Sequence, residues 1–137
     1  MEIGYILSKA NSLLHYHMAN SILFVDDDPD LREIVTDQLT ASGYTVDVAE
    51  DGVVAIDKLQ QKDYEVILLD ITMPNRNGMD VLRFTKDHAL KCKVIMLTGM
   101  VGLSVAIESI KLGAADYITK PYNMDYLLSS IKRALEK

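Results

Sequence analysis

Cysteine is scarce in this chain of 137 residues, where Cys92 is the single example. One thiol excludes an intramolecular disulfide framework. Uninterrupted apolar stretches are also absent near the N-terminus, which argues against a signal peptide and a membrane span there. We therefore expect a cytoplasmic protein without a membrane partner.

Positive charge is in short supply as well. The chain carries 14 Lys and Arg against 20 Asp and Glu, which gives a net charge of -6. Because a nucleic-acid surface needs clustered Lys and Arg to displace counterions, we expect no nucleic-acid partner. The remaining composition, 49% hydrophobic and 25% charged, suits one ordinary globular domain.

From residue 21 onward, short apolar runs alternate with segments of helical periodicity. Strands are predicted at Ile22–Val25, Thr45–Ala49, Val66–Asp70, Val94–Leu97 and Asp116–Thr119. Helices are predicted from Asp28-Pro29 to Gly43, at Val53–Gln60, after Asn77-Gly78, at Leu103–Leu112 with Gly113 as a stop, and at Asn123–Leu135. This alternation predicts an α/β fold, a flavodoxin-like doubly wound five-stranded parallel sheet with strand order 2-1-3-4-5.

Residues that can handle a phosphoryl group follow four of these strands. They are the pair Asp26 and Asp27, then Asp70, Thr98 and Lys120. Because the carboxyl ends of parallel strands lie side by side, we expect these side chains to converge on one crevice at the switch point of the sheet. Such a crevice suits a metal ion and a phosphate.

Four motifs carry a resemblance to a known family. They are ILFVDDDP at residues 22–29, LLDITMPNRNG at residues 68–78, MLTG at residues 96–99 and DYITKPY at residues 116–122. In this order, each at the end of a predicted strand, they resemble the receiver domain of two-component response regulators. The resemblance covers about residues 21–137 and divides the chain into this receiver domain and an extension of residues 1–20.

The charges of the crevice predict a Mg²⁺ site. Clustered carboxylates repel one another, and a dication relieves the repulsion. Mg²⁺ prefers octahedral oxygen ligands with retained waters, which fits Asp27 and Asp70 as direct ligands and Asp26 through water. The resemblance adds the backbone carbonyl of Thr72 as a further ligand.

Asp70 is the candidate nucleophile, since its carboxylate can attack phosphorus and form an aspartyl phosphate. The ammonium of Lys120 would neutralise charge on the transferring oxygens, and the hydroxyl of Thr98 would donate to one of them. We expect no enzymatic activity other than catalysis of the chain's own phosphorylation and dephosphorylation. The resemblance also implies a cis bond between Lys120 and Pro121, and a switch in which Tyr117 turns inward together with Thr98.

The resemblance implies a sensor histidine kinase or a histidine phosphotransfer protein as the phosphoryl donor, and a downstream protein as the target. The fourth helix, the fifth strand and the fifth helix would form the face whose binding changes. The sequence leaves open whether the chain is a single-domain response regulator, a phosphorelay intermediate or an isolated fragment of a larger regulator.

Two other classes of protein compete with this interpretation. An aspartyl-phosphate hydrolase would use a DxD motif after its first strand, and Asp26 with Asp28 fits superficially, but Asp70 is then unexplained. A flavin-binding module would bind phosphate in the same loop, where three aspartates would repel it.

Residues 1–20 place apolar side chains at helical spacing, which predicts an extra N-terminal amphipathic helix. That helix would dock on the receiver, with Val53 and Val54 as candidate contacts, or pair with a second copy in a homodimer. The alternative is that translation starts at Met18.

Two residues keep a plain structural interpretation beside a functional one. Asp28 is either a helix cap or an aid to the metal ligands. Cys92 lies between Lys91 and Lys93, which could lower the pKa of its thiol, but an idle thiol is favoured.

Overall fold

The computed structural model describes residues 20–71, 73, 77–99 and 102–136. Apart from Asn20, the predicted N-terminal helix lies outside the described residues, and so does Thr72. Among the described helices, none has the length and apolar content needed to cross a membrane.

Five strands alternate with five helices along the chain. The strands are β1 (Ser21–Val25), β2 (Thr45–Ala49), β3 (Val66–Asp70), β4 (Lys93–Thr98) and β5 (Asp116–Thr119). The helices are α1 (Pro29–Ala41), α2 (Gly52–Gln61), α3 (Gly78–Asp87), α4 (Leu103–Lys111) and α5 (Met124–Leu135). The predicted boundaries differ from these by only a residue or so, as at β4, which is one residue longer at each end.

The strands form one parallel sheet in the order β2-β1-β3-β4-β5, as predicted. Asp70 pairs with Leu97 in the register of β3 and β4, and Thr98 pairs with Thr119 in the register of β4 and β5. Three neighbouring strands therefore end at the same edge of the sheet, which places the residues after them side by side.

Helices cover both faces of the sheet, which explains why every residue of β1 and β3 is buried. Alternate residues of β1 point to opposite faces. Leu23 and Val25 join a core with α2 and α3, whereas Ile22 and Phe24 join a core with α1 and α5. Each such fully buried side chain contributes about 1.5–3 kcal/mol.

The start of α1 settles the role of Asp28. Its carboxylate accepts hydrogen bonds from the backbone N–H groups of Asp30 at 3.0 Å and Leu31 at 3.3 Å, so Asp28 is the helix cap.

Gly43 and Gly113 follow α1 and α4 with φ of 99° and 98°. Both are in the left-handed region that glycine tolerates, as the sequence predicted.

The first residue of α3, Gly78, packs directly against the end of β3. Its backbone N–H donates to the carbonyl of Ile71 at 2.9 Å. A Cβ atom at Gly78 would lie 2.8 Å from the Cα of Ile71 and 2.9 Å from the carbonyl carbon of Asp70, with the carbonyl oxygen of Asp70 closer still. The close approach of α3 to the strand that carries Asp70 therefore depends on the absence of a side chain.

Candidate functional site

The structure brings the predicted site residues together at the carboxyl edge of the sheet. Asp70 ends β3 and Thr98 ends β4, and both side chains are buried. Asp26 follows β1 and is also buried, while its neighbour Asp27 is exposed. Carboxylate oxygens of Asp26, Asp27 and Asp70 lie within 4.8 Å of one another.

Lys120 supplies positive charge to this cluster. Its Nζ atom lies 2.9 Å from Oδ2 of Asp26 and 3.2 Å from Oδ2 of Asp70. Burial alone would lower the pKa of Lys120, but the hydrogen bond and charge of Asp26, followed by those of Asp70, outweigh it and raise that pKa. The lysine is thus held as an ammonium at neutral pH. The bond between Lys120 and Pro121 is cis, as the resemblance implied.

The three carboxylates fit a small dication. At a separation of 4.8 Å or less, the buried pair Asp26 and Asp70 repel by about 3.5 kcal/mol at an effective dielectric of 20. Carboxylate oxygens are the ligands that Mg²⁺ prefers, so the donor atoms of this cluster fit that ion.

The hydroxyl of Thr98 is buried without a hydrogen-bond partner among the described residues. Leaving a buried hydroxyl unpaired costs about 1–3 kcal/mol. The backbone carbonyl of Thr98 accepts a hydrogen bond from the N–H of Lys120 at 2.6 Å, which ties the ends of β4 and β5 together. Thr98 therefore offers an available donor next to the strand that ends at Asp70.

Tyr117, the switch residue that the resemblance implied, lies on β5. Its hydroxyl is already enclosed, and it has no hydrogen-bond partner in the described part of the chain. The ring packs against the core that contains α2 and α3, and burial raises the pKa of the phenol. The ring of Tyr117 therefore faces the protein interior in this structure.

Sequence reasoning missed Arg32, which contacts the acidic loop. Its Nη1 atom donates to the carbonyl oxygen of Asp26 at 2.7 Å. A signal was available, because Arg32 lies near the N-terminus of α1, where the helix dipole disfavours a cation.

Cys92 lies at the other end of the sheet, just before β4. Burial raises the pKa of its thiol to about 11, so the flanking lysines do not lower that pKa. The idle-thiol interpretation agrees with this environment.

Of the two valines proposed as contacts for the N-terminal segment, Val53 is exposed and Val54 is half-buried. Nothing in the described residues tests whether that segment contacts them.

Comparisons with known proteins agree with the geometry. A family model described as the response regulator receiver domain matches residues 22–132. Chemotaxis protein CheY of Bacillus subtilis is 34% identical over 119 residues, which cover 86% of this chain and 99% of CheY. Response regulator ArlR of Staphylococcus epidermidis is 32% identical over 117 residues. Those residues cover 85% of this chain but 53% of ArlR, so the chain spans about half of that relative.

A solved structure gives the same likeness. The response regulator protein TrrA from Thermotoga maritima, in complex with Mg²⁺-BeF, shares 32% sequence identity with this chain at a TM-score of 0.75. The match covers 84% of this chain and 98% of TrrA.

Proposed function

This chain belongs to the family of response regulator receiver domains, and from that membership we propose that it accepts a phosphoryl group on Asp70 in a Mg²⁺-dependent reaction. The donor would be a sensor histidine kinase or a histidine phosphotransfer protein. The observation that carries the proposal is the convergence of buried Asp70 with a second acid, an ammonium and an unpaired hydroxyl at one edge of the sheet.

The transfer needs positioning more than proton chemistry. An ionised oxygen of Asp70 attacks phosphorus and forms an O–P bond, while the P–N bond of the phosphohistidine breaks. The electron pair of that bond stays on the imidazole, which takes a proton from solvent. No general base is required, because the nucleophile is already a carboxylate. In the later loss of phosphate, a water molecule would attack phosphorus, and the carboxylate of Asp70 would be the leaving group.

Several surrounding residues would bind and neutralise the oxygens of the transferred phosphoryl group. Lys120 is already 3.2 Å from Asp70 and would bind an oxygen of the transferred group. Thr98 would donate its unpaired hydroxyl to another oxygen. Asp26, Asp27 and Asp70 would hold Mg²⁺, with the carbonyl of Thr72 as a further ligand. When bound, the metal neutralises carboxylates and phosphoryl oxygens. The likeness to TrrA, solved with Mg²⁺-BeF, supports this assignment.

We place the output of the switch on α4 and its neighbours β5 and α5. Three large apolar side chains of α4, those of Leu103, Ile107 and Ile110, are exposed, which favours a protein-binding surface. Movement of Thr98 toward the phosphoryl group, with Tyr117 packed behind, would change how this surface is presented. The downstream target is therefore expected to be a protein.

Two polar contacts tie α4 to α3 and would have to change in such a movement. Arg83 of α3 lies 2.8 Å from Glu108 of α4. The hydroxyl of Ser109, which donates to the carbonyl of Val105 at 2.9 Å within α4, lies 3.4 Å from the sulfur of Met79. The Arg83–Glu108 pair is exposed, so it contributes no more than about 1 kcal/mol and is weak enough to break.

Acetyl phosphate tests the proposal without knowledge of the natural donor. Wild type incubated with acetyl phosphate and Mg²⁺ should gain the mass of one phosphoryl group, and chelation of Mg²⁺ should abolish the gain. Asp70→Asn should show no adduct, whereas the control Asp37→Asn, which changes an exposed aspartate of α1, should behave as wild type. An undiminished adduct on Asp70→Asn would refute the assignment of the acceptor.

A further inference from the structure

Asp26 makes four hydrogen bonds with separate groups, one as donor and three as acceptor. Its backbone N–H donates to the carbonyl of Ala49 at 3.1 Å, and its own carbonyl accepts from Arg32 at 2.7 Å. Its carboxylate accepts from the N–H of Asp28 at 2.9 Å and from Lys120 at 2.9 Å. The Asp26 carbonyl belongs to the peptide that leads to Asp27, so Arg32 holds the plane of that peptide.

Asp27 depends on this backbone for its direction. Its side chain is exposed and makes no hydrogen bond to any other described residue, yet its carboxylate lies within 4.8 Å of those of Asp26 and Asp70. The backbone around the Asp26–Asp27 peptide sets the direction of the Cα–Cβ bond of Asp27, and therefore which side-chain rotamers can bring its carboxylate toward Asp70.

The contact of Arg32 is not an ordinary ion pair. Three aspartates follow β1, but within the described residues the guanidinium bonds to a neutral carbonyl and to no carboxylate. A hydrogen bond from a charged donor contributes about 1.5–3 kcal/mol when it is well formed. A hydrogen bond of that strength can hold the backbone at Asp26. It also offsets the unfavourable interaction between the Arg32 cation and the helix dipole near the start of α1.

We propose that Arg32 is a positioning residue for the Mg²⁺ site, acting through the Asp26–Asp27 peptide to aim the carboxylate of Asp27 at Asp70. This inference rests on the proposed function, because it assigns a role within the same site. It adds a residue that touches neither the metal nor the phosphoryl group.

Charge and position predict opposite results when Arg32 is replaced. If Arg32 acted through its charge alone, removal would relieve repulsion of a dication, and Mg²⁺ would bind more tightly. If it acts through the peptide, removal lets Asp27 turn away, and Mg²⁺ binds more weakly. Lysine keeps the charge but lacks the planar fork of arginine, so it should restore binding only in part.

Titration calorimetry of the unphosphorylated protein with Mg²⁺ separates these cases. Arg32→Met should weaken Mg²⁺ binding by roughly tenfold, the lower end of the range for outer-shell partners of metal ligands, with Arg32→Lys in between. The control Arg133→Met removes an exposed arginine of α5 and should bind as wild type. Urea unfolding of each variant confirms that it is folded.

A double-mutant cycle tests whether the effect passes through Asp27. In an Asp27→Asn background, Arg32→Met should cause little further loss of Mg²⁺ affinity. If Arg32→Met binds Mg²⁺ as well as wild type or more tightly, or if its effect is undiminished without Asp27, the inference is overturned. Failure of wild type itself to bind Mg²⁺ would instead overturn the proposed function.

Discussion

Replacing Gly78 with alanine should harm the phosphorylation site through the backbone of Asp70. The added Cβ would lie 2.8 Å from the Cα of Ile71, whereas ordinary contact begins at 3.4 Å. Relieving this contact alone requires α3 and β3 to separate by about 0.6 Å, and the carbonyl oxygen of Asp70 requires more. Because the three nearest atoms all belong to the backbone, no flexible side chain can move aside to relieve these contacts. Overpacking of this kind costs about 1–3 kcal/mol.

The damage to phosphorylation should exceed the damage to stability. The carboxylate of Asp70 moves with its backbone, and a misplacement of about 1 Å can cost a hundredfold in rate. For the smaller displacement expected here, phosphorylation by acetyl phosphate should slow by roughly tenfold. The rate is measured by intact mass over time, and the free energy of unfolding is measured by urea titration.

Gly102 offers a matched control at the start of another helix. It precedes α4 with φ of -71°, which any residue adopts, and a Cβ there would lie 3.8 Å from the hydroxyl oxygen of Ser104, the nearest described atom outside its own chain neighbours. Gly102→Ala should lose about 1 kcal/mol or less, as an altered cap, and should keep the wild-type rate. Equal stability and equal rate for the two alanine variants would refute the reasoning.

Two further predictions concern pH. Burial raises the pKa of the Cys92 thiol from 9.0 to about 11, so alkylation of the folded protein should accelerate as pH rises toward 11. The contribution of the neutral thiol to stability should be full below pH 9.0 and should be lost as pH rises through 11. Half-maximal alkylation of the folded protein near pH 9.0 would contradict this. The hydrogen bond from Tyr64 at 2.6 Å lowers the pKa of Asp47. The stability that the ionised carboxylate contributes is therefore present above pH 3.8 and is lost as pH falls through the pKa of Asp47 in the folded protein. Tyr64→Phe should therefore lose up to about 1 kcal/mol at neutral pH and less in acid, and an equal loss at both pH values in urea titrations would count against it.

Local sequence was enough for most of the fold. The apolar runs of β1 and β3 indicated burial on both faces, and Asp28 with Pro29 marked the start of α1, because these features depend on neighbours in the chain. The same strand ends predicted that acids, hydroxyl and amine would meet. Their roles in phosphoryl transfer remain predictions.

Contacts between distant segments were beyond the reach of the sequence. The approach of Gly78 to Asp70 arises only when α3 packs on β3. For Cys92, adjacent lysines suggested a lowered pKa, but burial in the folded chain reverses the direction.

The light anchoring of α4 has a consequence for how this protein could evolve. Ser109 is the one fully buried residue of that helix, whereas α5 buries four and α3 buries five. Detaching α4 should cost far less than global unfolding, so amide protons there should exchange early with solvent. Substitutions on its outward face, the proposed protein-binding surface, should therefore cost little folding stability. If α4 binds the target as proposed, the choice of target could change during evolution without loss of the fold.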